Sequence, residues 1–251
     1  MEPVIDLTEV KPGIVQITMQ EKEHRNLFTP RLLTALEQAF NAIHTNNSYK
    51  VVIITGYGNY FASGGTEESL LAIYRNEASF ADVNLHRLLI ECRLPVIAAM
   101  QGHAMGGGLA FGMYADFVIL GKESVYTANF MKYGFTPGMG VTCILPHKLG
   151  WGLATEMLMS AGKYRGSDLE KRGIPFSVLP RAEVLAHAYQ LASEMVDMPL
   201  ASLILLKTHL NGDLKAKLAQ CISREMEMHA ITFHLPEVRE RIISLFGQQK
   251  R

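Results

Sequence analysis

The 251-residue sequence predicts an α/β fold, a core of buried parallel strands with helical crossovers followed by a helical C-terminal region. Three observations predict it. Short, continuous apolar runs rich in β-branched residues recur at 51–55, 95–99 and 114–120, as buried parallel strands do. Helix-like segments lie between those runs, at 66–74 and 81–92. From Gly140 onward the pattern turns helical, broken only by the apolar stretch 174–179.

In order along the chain, residues 4–9 and 13–19 read as two short strands joined by the turn at Lys11, Pro12 and Gly13. Thr29 and Pro30 then open a helix that runs to about His44. Its stripe is Leu32, Leu33, Leu36, Phe40 and Ile43. No internal repeat, low-complexity segment or linker divides the chain. The expected organisation is a core over 1–195 and a helical region over 196–251 within one domain, the latter serving oligomerisation and active-site cover.

Composition bounds the function. Hydrophobic content of 48% and charged content of 19% suit a globular, enzyme-sized chain rather than a disordered one. Net charge is zero, which gives no electrostatic case for nucleic acid. Residues 1–125 carry nine Lys/Arg against thirteen Asp/Glu, and residues 126–251 carry fifteen against eleven, a mild C-terminal basicity. Cys92, Cys143 and Cys221 lack metal-ligand spacing and fit reduced thiols in a cytoplasmic protein; no metal is expected. No apolar run reaches membrane-spanning length, and no signal peptide is evident at the N-terminus.

Chemistry concentrates in two glycine turns. The first, Phe61-Ala62-Ser63-Gly64-Gly65, follows the strand at 51–55. The second, Gly102-His103-Ala104-Met105-Gly106-Gly107-Gly108, follows the strand at 95–99 and precedes an apolar helix. Glycine triplets leave backbone N–H groups open to a ligand. Each turn alone fits tight packing or a phosphate loop equally well. Together they suggest an oxyanion hole with two backbone donors.

The pair of turns with its flanks resembles the crotonase (enoyl-CoA hydratase/isomerase) superfamily through nearly the whole chain, including Asn26. That resemblance implies a spiral of ββα turns, a homotrimer or dimer of trimers, and a thioester substrate. It places the two N–H donors on Gly65 and Gly107. Hydratases of this superfamily use two glutamates to handle water. The first falls here on Ala110, and the neighbourhood of the second reads Thr127-Ala128-Asn129-Phe130-Met131, without a carboxylate. Neither replacement can act as a general acid or base, so hydration is not expected.

An oxyanion hole without water-handling carboxylates suits decarboxylation, because departing CO2 leaves its electrons behind and no base is needed. Residues 124–138, 55–61 and 164–173 are similar to decarboxylases of polyketide β-branching cassettes, of the PksI and curacin types. This narrower resemblance implies loss of CO2 from 3-methylglutaconyl-acyl carrier protein to give 3-methylcrotonyl-acyl carrier protein. It implies as partners an acyl carrier protein, β-branching enzymes including a dehydrating crotonase homologue, and no cofactor beyond the phosphopantetheine or CoA that carries the substrate.

Leu218, Ile222, Met226, His229 and Phe233 share one helical stripe, which turns His229 inward. On the residues alone a satisfied core histidine is the favoured explanation; the resemblance implies instead that His229 is the proton donor, the carboxylate ligand, or both in succession. The curacin-type tyrosine and lysine fall here on Ser69 and Ile73, so the cation for the substrate carboxylate is unassigned. Arg75, Arg87, His86 and Lys132 are candidates. His103 either lines the pocket or braces its turn, and Met226 and Met228 are candidate acyl-pocket residues. Two other readings compete: a thioester isomerase, which needs a base that only His229 offers, and a non-catalytic or RNA-binding scaffold, which neutral charge and intact glycine turns disfavour.

Overall fold

The computed structural model describes residues 2–82 and 84–249, with the side chains of Ala81 and Gln249 excepted. Strands β1 (Ile5–Lys11) and β2 (Ile14–Met19) form the expected antiparallel hairpin, and α1 (Pro30–Thr45) follows with Thr29 as its N-cap, accepting the Leu32 N–H. The chain then winds through ββα turns. The first contains β3 (Val51–Thr55), β4 (Tyr60–Ala62) and α2 (Glu67–Tyr74), then α3 (Leu85–Ile90). The second contains β5 (Val96–Met100), β6 (His103–Met105) and α4 (Gly107–Met113). A third contains β7 (Phe117–Gly121) and β8 (Val125–Thr127), leading through a short 3-10 turn, Asn129–Tyr133, into α5 (Val141–Leu149) and α6 (Trp151–Ser160). The remainder is β9 (Tyr164–Arg165), α7 (Gly166–Lys171), β10 (Ser177–Leu179), α8 (Arg181–Val196), α9 (Leu200–Leu210), α10 (Gly212–Thr232) and α11 (Pro236–Gln249).

The first strand of each turn stacks into a six-stranded sheet of order β1-β2-β3-β5-β7-β10, parallel from β2 through β10. The second strands stack into a separate four-stranded sheet, β4-β6-β8-β9. This is the expected ββα spiral, an α/β crotonase fold. Its apolar runs are continuous because both sheet faces are covered. Val52, Ile54, Val96 and Ala98 face the main core, whereas Val51, Ile53, Ile97 and Ala99 face Val184, Ala188 and Ala192 of α8.

Two expectations are corrected. The strand expected over 114–120 begins at Phe117, because Tyr114 caps α4 and its hydroxyl donates to the Met139 carbonyl. The helix expected over 81–92 is two pieces, a 3-10 turn at Phe80–Asp82 and α3; Val83 between them lies outside the described residues. The apolar stretch 174–179 that interrupts the helical pattern carries a short strand, Ser177–Leu179, pairing with β7.

The C-terminal helices share the main core through Leu214, Leu218, Phe233, Val238, Ile242 and Phe246. Lys207 anchors α9. Its buried ammonium pairs with Asp116 at 2.7 Å and donates to the carbonyls of Leu94 (2.8 Å) and Leu89 (3.3 Å). Among the described residues no helix is long and apolar enough to cross a membrane.

Candidate active site

The spiral brings the two glycine turns side by side. β4 pairs with β6 in parallel, so the turn after β4 and the turn after β6 emerge at the same edge of the small sheet. Gly64 makes this approach close. Its φ is +87°, and an added Cβ would lie 2.8 Å from the Met105 carbonyl oxygen and 3.5 Å from the Gly107 nitrogen. The loop before α1 fixes the first turn from the other side: Phe28 N–H donates to Gly64 O (2.8 Å) and Ser63 N–H to Asn26 O (3.1 Å). Asn26 is fully buried and spends its carboxamide on the backbone, donating to Met19 O and Phe61 O and accepting from the Glu21 N–H.

Gly65 precedes the N-cap of α2, and Gly107 is the first residue of α4. Neither N–H has a backbone acceptor among the described residues, and both residues line one cavity of about 80 Å³. The rest of the wall is largely apolar. Phe28, Phe80, Phe130, Tyr133 and Phe135 supply rings, Met105 and Met139 supply sulfurs, and Leu70 and Ile73 close the α2 side. Polar lining comes from Ser63, Ser69 and Asn129. No Asp, Glu, Lys, Arg or His is among the described lining residues.

Ser69 and Ile73 therefore reach the cavity. Arg75, His103 and Lys132 do not. Arg75 is exposed and paired with Glu77 at 2.8 Å. Lys132 is exposed, without an ion pair among the described residues. His103 accepts the Val125 N–H on Nδ1 (2.9 Å) and packs edge-on against Tyr60, bracing β6 against β8. Burial, with help from Arg181 and Arg165, lowers its pKa, which favours that acceptor role. Of the remaining cation candidates, Arg87 is ion-paired to Glu91 and His86 packs near Tyr114, both away from the cavity wall. The methionines of the wall are Met105 and Met139; Met226 instead contacts Ser79.

His229 lies on the buried stripe of α10 together with Leu218 and Phe233. It stands one ring behind the cavity: Phe80 and Phe135, both in the wall, approach its imidazole at 4.9 and 6.5 Å between centroids. Nε2 lies 2.8 Å from the Thr136 carbonyl, so Nε2 carries the proton and donates. Nδ1 is buried without a hydrogen-bond partner among the described residues. Burial pushes the imidazole below its ordinary pKa, opposed by the carbonyls of Thr136 and Pro137, so the neutral ring predominates near neutral pH.

Sequence reasoning passed over Glu225, one turn before His229. Its buried carboxylate accepts from Gly140 N–H (2.6 Å), Thr142 N–H (2.8 Å) and the Thr142 hydroxyl (2.6 Å). These bonds fix α10 to the turn that carries Met139 into the cavity wall. A carboxylate flanking an apolar stripe was the available signal.

The chain is similar to known proteins over nearly its whole length. The enoyl-CoA hydratase/isomerase family model matches residues 9–250. The bacillaene synthase decarboxylase PksI of Bacillus subtilis is 55% identical over 244 residues, covering 97% of this chain and 98% of that one. A structure from a dehydratase/decarboxylase couple of polyketide β-branching superposes with a TM-score of 0.96 at 55% identity, over 97% of this chain and 99% of that one. The ECH2 decarboxylase domain of CurF from Lyngbya majuscula superposes with a TM-score of 0.93 at 47% identity, each chain covered in full. The family match over residues 9–250 and the 55% identity to PksI show that the chain belongs to the enoyl-CoA hydratase/isomerase family, as a close relative of the decarboxylases of polyketide β-branching.

Proposed function

We propose that this protein decarboxylates 3-methylglutaconyl-acyl carrier protein to 3-methylcrotonyl-acyl carrier protein. The observation that carries this reading is the pairing of two unpartnered backbone N–H groups with a cavity whose described wall holds no general base. Gly65 and Gly107 N–H groups receive the thioester oxygen. The bond between the γ carbon and the carboxylate breaks, its electrons delocalise onto that oxygen as a dienolate, and CO2 departs. Each donor contributes about 2.7–4 kcal/mol to the transition state. The dienolate then takes one proton on carbon.

His229 is the proposed acid. Its Nε2–H is held by Thr136, so Nδ1 is the nitrogen that picks up and returns a proton, with the Phe80 ring turning aside to admit it. Because burial lowers its pKa, a step that depends on protonated His229 slows as pH rises through a value below about 6.5. The carrier's phosphopantetheine arm delivers the thioester, and a dehydrating crotonase homologue supplies the unsaturated acid, as the relatedness to a dehydratase/decarboxylase couple supports. The exposed leucines of α9 support assembly into a homotrimer or dimer of trimers. The region 196–251 then both covers the site, through α10, and joins the copies.

The test is CO2 release and intact mass with 3-methylglutaconyl carrier protein, for wild type and His229→Ala. Wild type should lose one CO2 per acyl group, and the variant should slow by about a hundredfold or more. A folded wild type that releases none from authentic substrate sinks the decarboxylase reading. An unimpaired variant moves the acid elsewhere.

A further inference from the structure

The cavity receives a dicarboxylic acyl group, on the reading above, yet its described wall offers that carboxylate no cation. Among the polar side chains that line it, most are already occupied. The Ser63 hydroxyl donates to Arg25 O (2.6 Å), the Ser69 hydroxyl donates to Thr66 O (2.9 Å), and Tyr133 is engaged. Asn129 differs. Half-buried in the wall, its side chain has no hydrogen-bond partner among the described residues. Its carboxamide oxygen lies 2.8 Å from where a Cβ on Gly106 would stand, beside the Gly107 donor.

We infer that the Asn129 carboxamide is the substrate's carboxylate ligand, a neutral clamp in place of a cation. The inference rests on the decarboxylase reading. The carboxamide carries two N–H donors that no described protein group takes up, and a carboxylate is the acceptor this substrate brings to the cavity that Asn129 lines. The absence of formal charge also suits the chemistry. Negative charge leaves the carboxylate in the transition state and accumulates on the thioester oxygen. A cation on the carboxylate would stabilise the ground state more than the transition state. A neutral donor orients the scissile bond without holding the charge in place, and the apolar wall disfavours the carboxylate further.

Two non-reactive pantetheine thioethers test this, one with the 3-methylglutaconyl skeleton and one lacking only its terminal carboxylate. By calorimetry, Asn129→Ala should weaken the carboxylated ligand by about ten- to hundredfold and leave the other within about twofold. Asn129→Ser, which keeps a donor, should recover part of the loss, and Asn129→Asp should bind the carboxylated ligand more weakly than Asn129→Ala. Equal weakening of both ligands would make Asn129 a packing residue and overturn the inference. So would equal retention of both. Binding is read without turnover, so a wild type that discriminates through Asn129 but releases no CO2 would sink the decarboxylase reading while leaving the clamp intact.

Discussion

At Gly108 an added Cβ would stand 2.1 Å from the Ala62 carbonyl oxygen and 2.5 Å from its carbonyl carbon. Both are backbone atoms of the neighbouring strand β4, so no side-chain rotation relieves the contact. Gly108→Ala must push α4 away from β4 and so separate the turns that carry Gly65 and Gly107. The expected cost is about 3 kcal/mol, read as a lower denaturation midpoint, with CO2 release falling further than the folded fraction does. A fully stable, fully active Gly108→Ala protein would refute the claim that this approach sets the donor spacing. The glycine triplet was legible in the sequence because it interrupts an apolar pattern. Asn129 was legible only as a missing carboxylate, since nothing local says that its side chain enters the cavity.

Helix α10 carries two buried titratable groups one turn apart, and their pH effects have opposite signs. Burial raises the Glu225 pKa against the bonds from Thr142 and Gly140, so the folded state holds its proton longer than the unfolded chain. Stability from this group is greatest below about pH 4.5 and falls as pH rises toward the folded pKa. For His229, burial lowers the pKa, so the unfolded chain binds the proton more readily. Stability from this group rises with pH through the window below about 6.5. Denaturation midpoints across pH 4–8 should therefore lose their rising component in His229→Gln and their falling component in Glu225→Gln. Glu225→Gln should also cost about 1–3 kcal/mol, because an amide cannot accept all three bonds. Unchanged profiles in both variants would contradict this assignment. The periodicity of the stripe placed His229 inward correctly; Glu225 shares the same buried face, between Leu218 and His229, and was passed over because a carboxylate breaks the apolar pattern until the turn at Gly140 docks against it.

At the scale of the whole molecule, helix α9 leaves apolar side chains uncovered. Leu205, Leu206 and Leu210 of α9 are 70%, 56% and 67% exposed, on a helix whose inner side is tied down through Lys207. Neighbouring exposed leucines of this kind mark an interface with another protein surface. Sedimentation of wild type should give a closed oligomer, a trimer or its dimer, and Leu205→Glu with Leu210→Glu should shift it toward monomer. A monomeric wild type would remove the proposed role of the 196–251 region in assembly.

What the sequence determined by itself was local. Continuous β-branched runs made buried parallel strands, paired glycine turns marked the proposed backbone donors, and the missing carboxylates at Ala110 and around Asn129 argued against hydration. The tertiary structure alone decided which side chains share the cavity. It brought Ser69, Ile73 and Asn129 into the wall, left Arg75 and Lys132 in solvent, and turned His103 to the backbone of β8. It also set Phe80 between His229 and the substrate's space. The physical reason is that a periodic stripe specifies that a residue faces inward, whereas its neighbours there come from strands and helices up to two hundred residues away, fixed only when the spiral closes.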